Sequence, residues 1–532
     1  MPLTTLLRDS RALATLAVPL ALTQLAQVAL TTTDTVMMGL LGTTDLAAGG
    51  LAIVIFNQLR TMGVGLVTAV GNQVAAAAAR AENADGPPVG VAGPARDTGA
   101  AAEPARTVEP ARTRGPAGAE GTAEVRRVVR ASLVLATLAG LAGAALMLLL
   151  GQGLTWVGQD ARVAERAQAM LFALAPGLVP CLWFQAIRQF TVGMRRPQAL
   201  LRITLASVAV NAGLNWALIH GAWGLPELGL PGVGVATSLV HLLSCLALLT
   251  ATRRDPALAP LLSWRGRGAD RATLRTLLGL GIPIAATYGS EAGFFSVTAL
   301  MAGSFGSAAL AAHTAVNQLV YIVFQIAVGL SHAASINVSR EVALENLPSA
   351  RRLRDTALAC AGAVMTVVAL VYLTVPHLVL RPFLDAGSAG DARALDIALD
   401  LLPVIAVLQF FDCAQNIGVG LLRGLDDTRS GFRITVVGYW LVGLPAAALL
   451  GYIAGADTLG VWLGLLVGLA TTAVLLLARY HRALGRRERS SPPGAAAEPT
   501  GGPQSFADPT GSRPRGPRGA PRGRGESRQS GP

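Results

Sequence analysis

Three carboxylates occupy apolar stretches that are long enough to cross a membrane: Asp34, Glu291 and Asp412. A charge at the centre of a bilayer costs about 2.5–3.5 kcal/mol on insertion scales, so such a residue usually faces a protein-lined cavity. A buried carboxylate is neutralised either by a proton or by a cation. The three acids are therefore candidates for handling an ion or a substrate. Asp34 lies near the outer end of its predicted helix, where it could reach interfacial water.

Amide side chains accompany these acids at helical spacing. Gln409 lies three residues before Asp412 and Asn416 lies four residues after it, so all three share one helical face. Oxygen donors beside a carboxylate suit a hard cation such as Na+, whereas a proton needs none of them. Polar side chains also hold membrane helices together, so a structural role stays open for the amides. Further amides within the apolar runs are Asn211, Asn215, Asn317 and Gln318.

The elements that must position these residues are membrane helices. The 532-residue chain is 52% apolar and only 14% charged, with a mean hydropathy of +0.51. Apolar runs of 18 or more residues predict spanning helices. Twelve such runs predict an all-α membrane protein, with spans near 12–37, 48–78, 127–151, 166–190, 199–220, 231–252, 275–302, 308–334, 355–376, 396–422, 433–454 and 457–480.

The charge distribution predicts the orientation of the spans. The net charge of +12 comes from arginine, and most arginines fall in one alternate set of loops. By the positive-inside rule this set is cytoplasmic, which places both termini in the cytoplasm. The four cysteines all lie within predicted spans and match no metal motif, so we expect neither disulfides nor a metal centre built from them.

Two segments have no apolar periodicity and are predicted to be disordered: an insertion at 81–122 and a basic tail at 485–532. The tail could touch anionic lipid head groups. No aromatic residues alternate with its arginines, so we do not expect nucleic-acid binding. The remaining boundaries predict a first six-helix bundle at 1–252, a cytoplasmic linker at 253–274 and a second bundle at 275–484.

The two predicted bundles are repeats of one another. An offset of 264 residues carries the motif around Pro19 onto the motif around Pro283, and it carries Gly65 onto Gly329. Because each half has six helices, both halves enter the membrane with the same orientation. Transporters built from such parallel repeats bind substrate between the halves and alternate access by rocking one half against the other.

Four separated motifs resemble the MATE (multidrug and toxic compound extrusion) transporters, particularly the NorM-type branch. They are DTVMMG (Asp34 to Gly39), the stretch from Asn211 to Thr237, ALAAHTAVNQL (Ala309 to Leu319) and FFDCAQNIGVGLLRGLDDTR (Phe410 to Arg429).

The resemblance implies two pseudo-symmetric six-helix bundles around a central cavity. It also implies export of organic, often cationic, compounds in exchange for Na+ or H+, with no other cofactor. The resemblance assigns the coupling ion or substrate to Glu291, Asp412 and Asp34, with Na+ possible at the first two. A related branch has aspartate where this chain has Asn215, which favours the NorM-type branch. We expect a monomer in the cytoplasmic membrane of a bacterium, multi-pass and surrounded by lipid.

A cavity for flat organic cations also needs aromatic faces. Tyr288, Phe295 and Tyr321 are candidates. Arg60 departs from this acidic and amide character, and it could pair with an acid in the cavity or extend to the membrane interface.

Two other functions remain open from the sequence. A lipid-linked precursor flippase of the same wider superfamily would need a cavity lined with arginine or lysine. A membrane-embedded prenyl-type transferase would need two acidic motifs facing one cavity, and only Asp426-Asp427 is found. The predicted function is transport rather than enzymatic catalysis.

Overall fold

The computed structural model describes residues 3–84, 116–156, 160–262, 270–384 and 389–490. The regular secondary structure in these ranges is helical. The first half of the chain contributes α1 (Leu3–Gly39), α2 (Thr43–Ala84), α3 (Pro116–Gln152), α4 (Ala161–Gly193), α5 (Gln198–His220) and α6 (Leu230–Arg254).

The second half is built in the same way, with two additional breaks. One is a short extra helix between the third and fourth spans of this half, and the other lies in the fifth span, which alternates between α- and π-helical turns. The helices are α7 (Arg271–Gly303), α8 (Ser307–Ala343), α9 (Leu347–Thr374), α10 (Pro376–Leu380), α11 (Ala389–Gly424), α12 (Thr428–Val436), a π-helix (Val437–Gly443), α13 (Leu444–Ala448), a second π-helix (Leu449–Ile453) and α14 (Asp457–Ser490).

Eleven helical spans in the described ranges are long and apolar enough to cross a membrane. Helix α7 is also long enough, with 33 residues, but Glu291 and neighbouring polar residues lower its hydropathy. The prediction of an all-α membrane protein with about twelve spanning helices in two related halves is confirmed.

Matching prolines lie inside the first helix of each half. Pro19 interrupts α1 and Pro283 interrupts α7. In each helix the threonine four residues later donates its hydroxyl to the carbonyl of that proline, at 2.7 Å for Thr23 and 2.8 Å for Thr287. Such back-bonding is associated with helix bending, so the repeat preserves the local geometry as well as the sequence.

The halves meet at two equivalent glycines. A Cβ atom placed on Gly65 of α2 would lie 2.6 Å from the Cα of Ala285 on α7, and one on Gly329 of α8 would lie 2.7 Å from the Cα of Ala21 on α1. The 264-residue offset exchanges these two contacts. Helices α1 and α8, and likewise α2 and α7, therefore cross at backbone contact, which only a residue without a side chain allows.

Both ends of the segment predicted to be disordered, 81–122, are helical. Helix α2 continues to Ala84 and α3 begins at Pro116, because alanine-rich sequence on both sides favours helix. Residues 85–115 lie outside the described residues. The predicted tail at 485–532 lies outside them as well, apart from 485–490, which belong to α14. The division into bundles at 1–252 and 275–484 stays a prediction.

Candidate functional site

A cavity of about 310 Å³ lies between the two halves. Helices α1, α2 and α4 form its first wall, and α7, α8 and α11 form its second. Its polar lining residues are Gln24, Gln27, Thr31, Arg60, Thr61, Gln185, Arg188, Tyr288, Glu291, Asn317, Tyr321, Gln325, His332 and Asp412, and its apolar lining includes Phe295 and Phe324.

Glu291 and Asp412 come from different helices and share one hydrogen-bond donor. The Nε2 atom of Gln415 lies 3.3 Å from Asp412 Oδ1 and, at a longer 3.5 Å, from Glu291 Oε1. Asn416 Nδ2 lies 3.3 Å from the same Asp412 oxygen and donates to the Asp412 carbonyl at 2.9 Å. Asp412 is only 2% exposed. Buried Asp412 and half-buried Glu291 therefore form a single pair of carboxylates in the cavity wall.

One oxygen of this pair lacks a hydrogen-bond partner. Asp412 Oδ2 is buried and has no hydrogen-bond partner among the described residues. An unpartnered buried carboxylate oxygen is costly unless something neutralises it. The arrangement can therefore accept a proton or a cation.

The π-helical turn Val437–Gly443 supports Glu291 from behind. Tyr439 donates its hydroxyl to Glu291 Oε1 at 3.4 Å, and its ring stacks on Phe294 with centroids 4.8 Å apart. The next residue, Trp440, donates to Ser290 Oγ at 2.8 Å. Single π-helical turns inside α-helices are frequent at functional sites. Here the turn brings two consecutive residues against α7.

The cavity carries positive charge as well as negative charge. Arg188 of α4 is 2% exposed and donates to Gln185 Oε1 at 3.1 Å and to Gln24 Oε1 at 2.9 Å. Arg60 of α2 donates to Asn57 Oδ1 at 3.2 Å. Neither arginine forms an ion pair with a described carboxylate. The expectation that Arg60 is the only exception in an acidic and amide cavity is therefore wrong.

A third arginine lies behind the Tyr288 side chain. Arg423 of α11 donates to the Tyr288 hydroxyl at 3.1 Å, and its guanidinium carbon lies 5.0 Å from the centre of that ring. Tyr288 thus bridges the cavity and a buried arginine. Its ring is held in place by both a hydrogen bond and a cation–π contact.

Asp34 belongs to a separate pocket within the first half. It is 4% exposed, and its Oδ1 atom accepts from Asn211 Nδ2 at 2.6 Å and from Asn215 Nδ2 at 2.7 Å. The hydroxyl of Thr237 lies 3.1 Å from Asp34 Oδ2. The expected access to interfacial water is wrong, because α5 and α6 cover this carboxylate. The two asparagines support Asp34 rather than the central cavity.

Some of the predicted site residues line the central cavity and others do not. Glu291, Asp412, Asn317 and the three candidate aromatics line the central cavity, and Asn416 supports Asp412 from behind. Gln318 and Gln409 are not among the lining residues, and Gln409 is buried. Gln409 shares a helical face with Asp412 but does not reach the cavity, because it lies about one turn away along α11.

Sequence reasoning missed three contributors to this site: Arg188, Gln415 and Tyr439. Arg188 carried the same signal as the acids, since it is a charge inside a predicted span, at 166–190. Gln415 lies three residues after Asp412, and this spacing places it close to the same helical face. Tyr439 carried no signal, because its role depends on the π-helical turn.

The halves are tied together at the end of α2 that lies beyond the cavity. Asn72 accepts from Ser335 Oγ at 3.1 Å through its side chain and from Ser339 Oγ at 2.9 Å through its carbonyl. Gln73 donates to Asp426 Oδ1 at 2.8 Å. Glu82 and Arg340 form an ion pair. These contacts close the end that the arginine distribution predicts to be cytoplasmic.

Comparison with known proteins gives consistent matches over most of the chain. The MatE family profile matches residues 116–217 and 283–449. A probable multidrug resistance protein NorM from Pseudomonas aeruginosa is 33% identical over 476 residues, which are 89% of each chain. The probable NorM protein of Bradyrhizobium diazoefficiens is 35% identical over 478 residues, covering 89% of this chain and 93% of its own.

Solved structures share the fold at lower identity. A eukaryotic MATE transporter aligns with a TM-score of 0.72 at 19% identity, covering 91% of this chain and 99% of its own. A multidrug resistance MATE family transporter in an outward-facing conformation aligns with a TM-score of 0.75 at 16% identity, covering 92% and 99%.

Proposed function

The chain belongs to the MATE family of membrane transporters, and from this premise we propose that it is a cation-coupled antiporter that exports organic, often cationic, compounds. Its relatives in Pseudomonas and Bradyrhizobium are named as probable multidrug resistance proteins. The coupling ion is Na+ or H+, and the cargo passes through the central cavity.

The observation that carries this proposal is the pair of carboxylates, Glu291 and Asp412, in the wall of the central cavity. The pair is linked through Gln415, and Asp412 Oδ2 is left without a partner among the described residues. A coupling ion and an organic cation would compete to neutralise the same pair. Arrival of the ion would weaken the hold on the organic cation, which is the basis of exchange.

The aromatic side chains of the second wall fit the same cargo. Tyr288, Phe295, Tyr321 and Phe324 all line the cavity, and the rings of the last two lie 6.3 Å apart in a stacked arrangement. Ring faces attract organic cations. The acids and the aromatics thus share one wall, so a flat cation could contact both.

The Asp34 pocket is a second candidate site for the coupling ion. The amide oxygens of Asn211 and Asn215 are buried without hydrogen-bond partners among the described residues. Turning both amides over would direct these oxygens toward the Asp34 carboxylate, next to the Thr237 hydroxyl. A carboxylate with three further oxygens suits a hard cation, and protonation of Asp34 would satisfy the same site.

The transport cycle that we propose is the rocking of one half against the other. The contacts of Asn72, Gln73 and Glu82 with the second half would have to break to open the predicted cytoplasmic end. Each is a hydrogen bond or an exposed ion pair, and such contacts are worth only about 0.5–1.5 kcal/mol each. This end can therefore open at modest cost.

Family membership contradicts the prenyl-type transferase alternative, because MATE proteins are transporters rather than enzymes. The acidic Asp426 and Asp427 lie in the turn between α11 and α12. Asp426 accepts from Gln73, and Asp427 pairs with Arg479 at 2.7 Å. The names of the relatives favour drug export over the lipid-linked flippase alternative.

The experiment is export of ethidium from cells that overproduce the protein. Wild type should lower intracellular ethidium. Asp412→Asn should lose this export, since the uncharged amide neither takes up a proton nor supplies the negative charge that attracts a cation. Asp396→Asn is the matched control, because Asp396 is an exposed carboxylate on the same helix. Equal export by wild type and Asp412→Asn, at equal membrane levels, would refute the role of Asp412.

A further inference from the structure

The charges that line the central cavity are divided between its two walls. Both cationic residues, Arg60 and Arg188, belong to the first half of the chain. Both anionic residues, Glu291 and Asp412, belong to the second half. A molecule in the cavity therefore faces positive charge on one side and negative charge on the other.

Arg188 is held in a fixed orientation but is not neutralised. Two amide oxygens, from Gln185 and Gln24, hold two nitrogens of its guanidinium group. No described carboxylate is within ion-pair distance of it. Burying a charge without an opposite charge is expensive, and neutral amides compensate for only part of the cost. Such a group is maintained where a ligand supplies the missing charge.

Arg60 adds to the same positive wall. It lines both the central cavity and the Asp34 pocket, and its Nε atom donates to the neutral side chain of Asn57. Guanidinium groups bind carboxylates through paired N–H donors, so two arginines at one wall form a suitable receptor for an acidic group.

The acids of the opposite wall do not remove the need for an anion. In the proposed exchange, Glu291 and Asp412 are neutralised by the coupling ion or by the organic cation. Whenever that happens, Arg60 and Arg188 are left as uncompensated positive charge in the cavity. A cargo that carried its own anionic group would neutralise both walls at once.

We propose that Arg188, assisted by Arg60, forms an anion-binding subsite that receives the carboxylate of zwitterionic cargo whose cationic end lies against Glu291 and Asp412. The subsite rests on the proposed export function and names a class of cargo within it. Arg188 is a specificity-determining residue in this arrangement, because it distinguishes a zwitterion from a cation of the same shape.

The test compares two forms of one rhodamine dye: the zwitterion with a free benzoic acid group, and its methyl ester, a simple cation. Binding of each to the purified full-length protein is measured by fluorescence anisotropy in detergent. Arg188→Gln should weaken binding of the acid relative to the ester about tenfold, which corresponds to about 1.4 kcal/mol. Arg188→Lys, which keeps the charge, should restore at least part of the preference.

An acid-to-ester ratio that is the same in wild type and Arg188→Gln would overturn the subsite, and so would an equal loss in Arg188→Gln and Arg188→Lys. If Arg188→Gln does not fold, Arg60→Gln provides the second test, with a smaller shift expected in the same direction. Wild type that binds neither dye and does not export ethidium would overturn the proposed function and the subsite with it. Binding of the ester with an unchanged acid-to-ester ratio would overturn the subsite alone.

Discussion

The close crossing of the two halves makes a specific prediction about Gly65 and Gly329. We expect the double variant Gly65→Ala/Gly329→Ala to be markedly less stable than wild type. The added methyl groups would lie 2.6 Å and 2.7 Å from the Cα atoms of Ala285 and Ala21. Carbon atoms pack best at about 3.5–4.0 Å, so each helix pair must separate by roughly 1 Å.

The size of the effect follows from the cost of overpacking. One extra carbon in a tightly packed contact costs about 1–3 kcal/mol, so two independent contacts give about 2–6 kcal/mol for the double variant. Replacing glycine by alanine within a helix normally gains about 0.5–1 kcal/mol. The net loss should still be large, because the clash is with backbone atoms that cannot turn away.

The assay is the unfolding temperature of the purified protein in detergent, followed by tryptophan fluorescence. Gly279→Ala is the matched control, since Gly279 also lies in a helix of this region and a Cβ there meets nothing within 4 Å. The control should unfold at or slightly above the wild-type temperature, and the double variant well below it. A double variant as stable as Gly279→Ala would show that the halves do not meet at these glycines.

Three further predictions concern the site and its surroundings. Tyr439→Phe removes the hydroxyl that donates to Glu291. A higher concentration of the coupling ion should then be needed for half-maximal export. An unchanged half-maximal concentration would contradict a role for this contact. Partial burial raises the pKa of Asp255, but hydrogen bonds from a backbone N–H and from an arginine outweigh this effect and hold that pKa below its usual range. This carboxylate therefore contributes stability above pH of about 4 and loses it as the pH falls through its lowered pKa. The unfolding temperatures of wild type and Asp255→Asn should accordingly converge on acidification, and a constant difference would argue against this. Finally, Gln73→Glu places a second carboxylate against Asp426. In disulfide trapping across the predicted cytoplasmic end, the halves should therefore cross-link less than in wild type. Adding Asp426→Asn should reverse the change.

Much of the fold could be predicted from the sequence. Twelve apolar runs, the offset of 264 residues and the matched Pro19 and Pro283 together predicted an all-helical membrane protein of two related halves. These features are local or periodic, and a bilayer allows few other arrangements for such segments. The acids were also recognisable, because a charge within an apolar run is costly wherever the helix lies.

The composition of the site was harder to predict, because it depends on which helix faces which. Sequence spacing placed Asn211 and Asn215 on one helical face but did not indicate that Asp34 of another helix completes the cluster. Gln415 bridges two acids that are 121 residues apart in sequence. Such contacts are set by packing between helices, which residue spacing within one helix does not determine.

Transport in proteoliposomes tests the coupling role of Glu291 and Asp412 most directly. Purified protein is reconstituted, and a Na+ gradient or a pH gradient is imposed separately while movement of ethidium is followed. We predict that one of the two gradients drives ethidium against its own gradient in wild type and in Asp396→Asn. Glu291→Gln and Asp412→Asn should lose this uphill transport. Uphill transport by both of these variants at the wild-type rate would contradict the account.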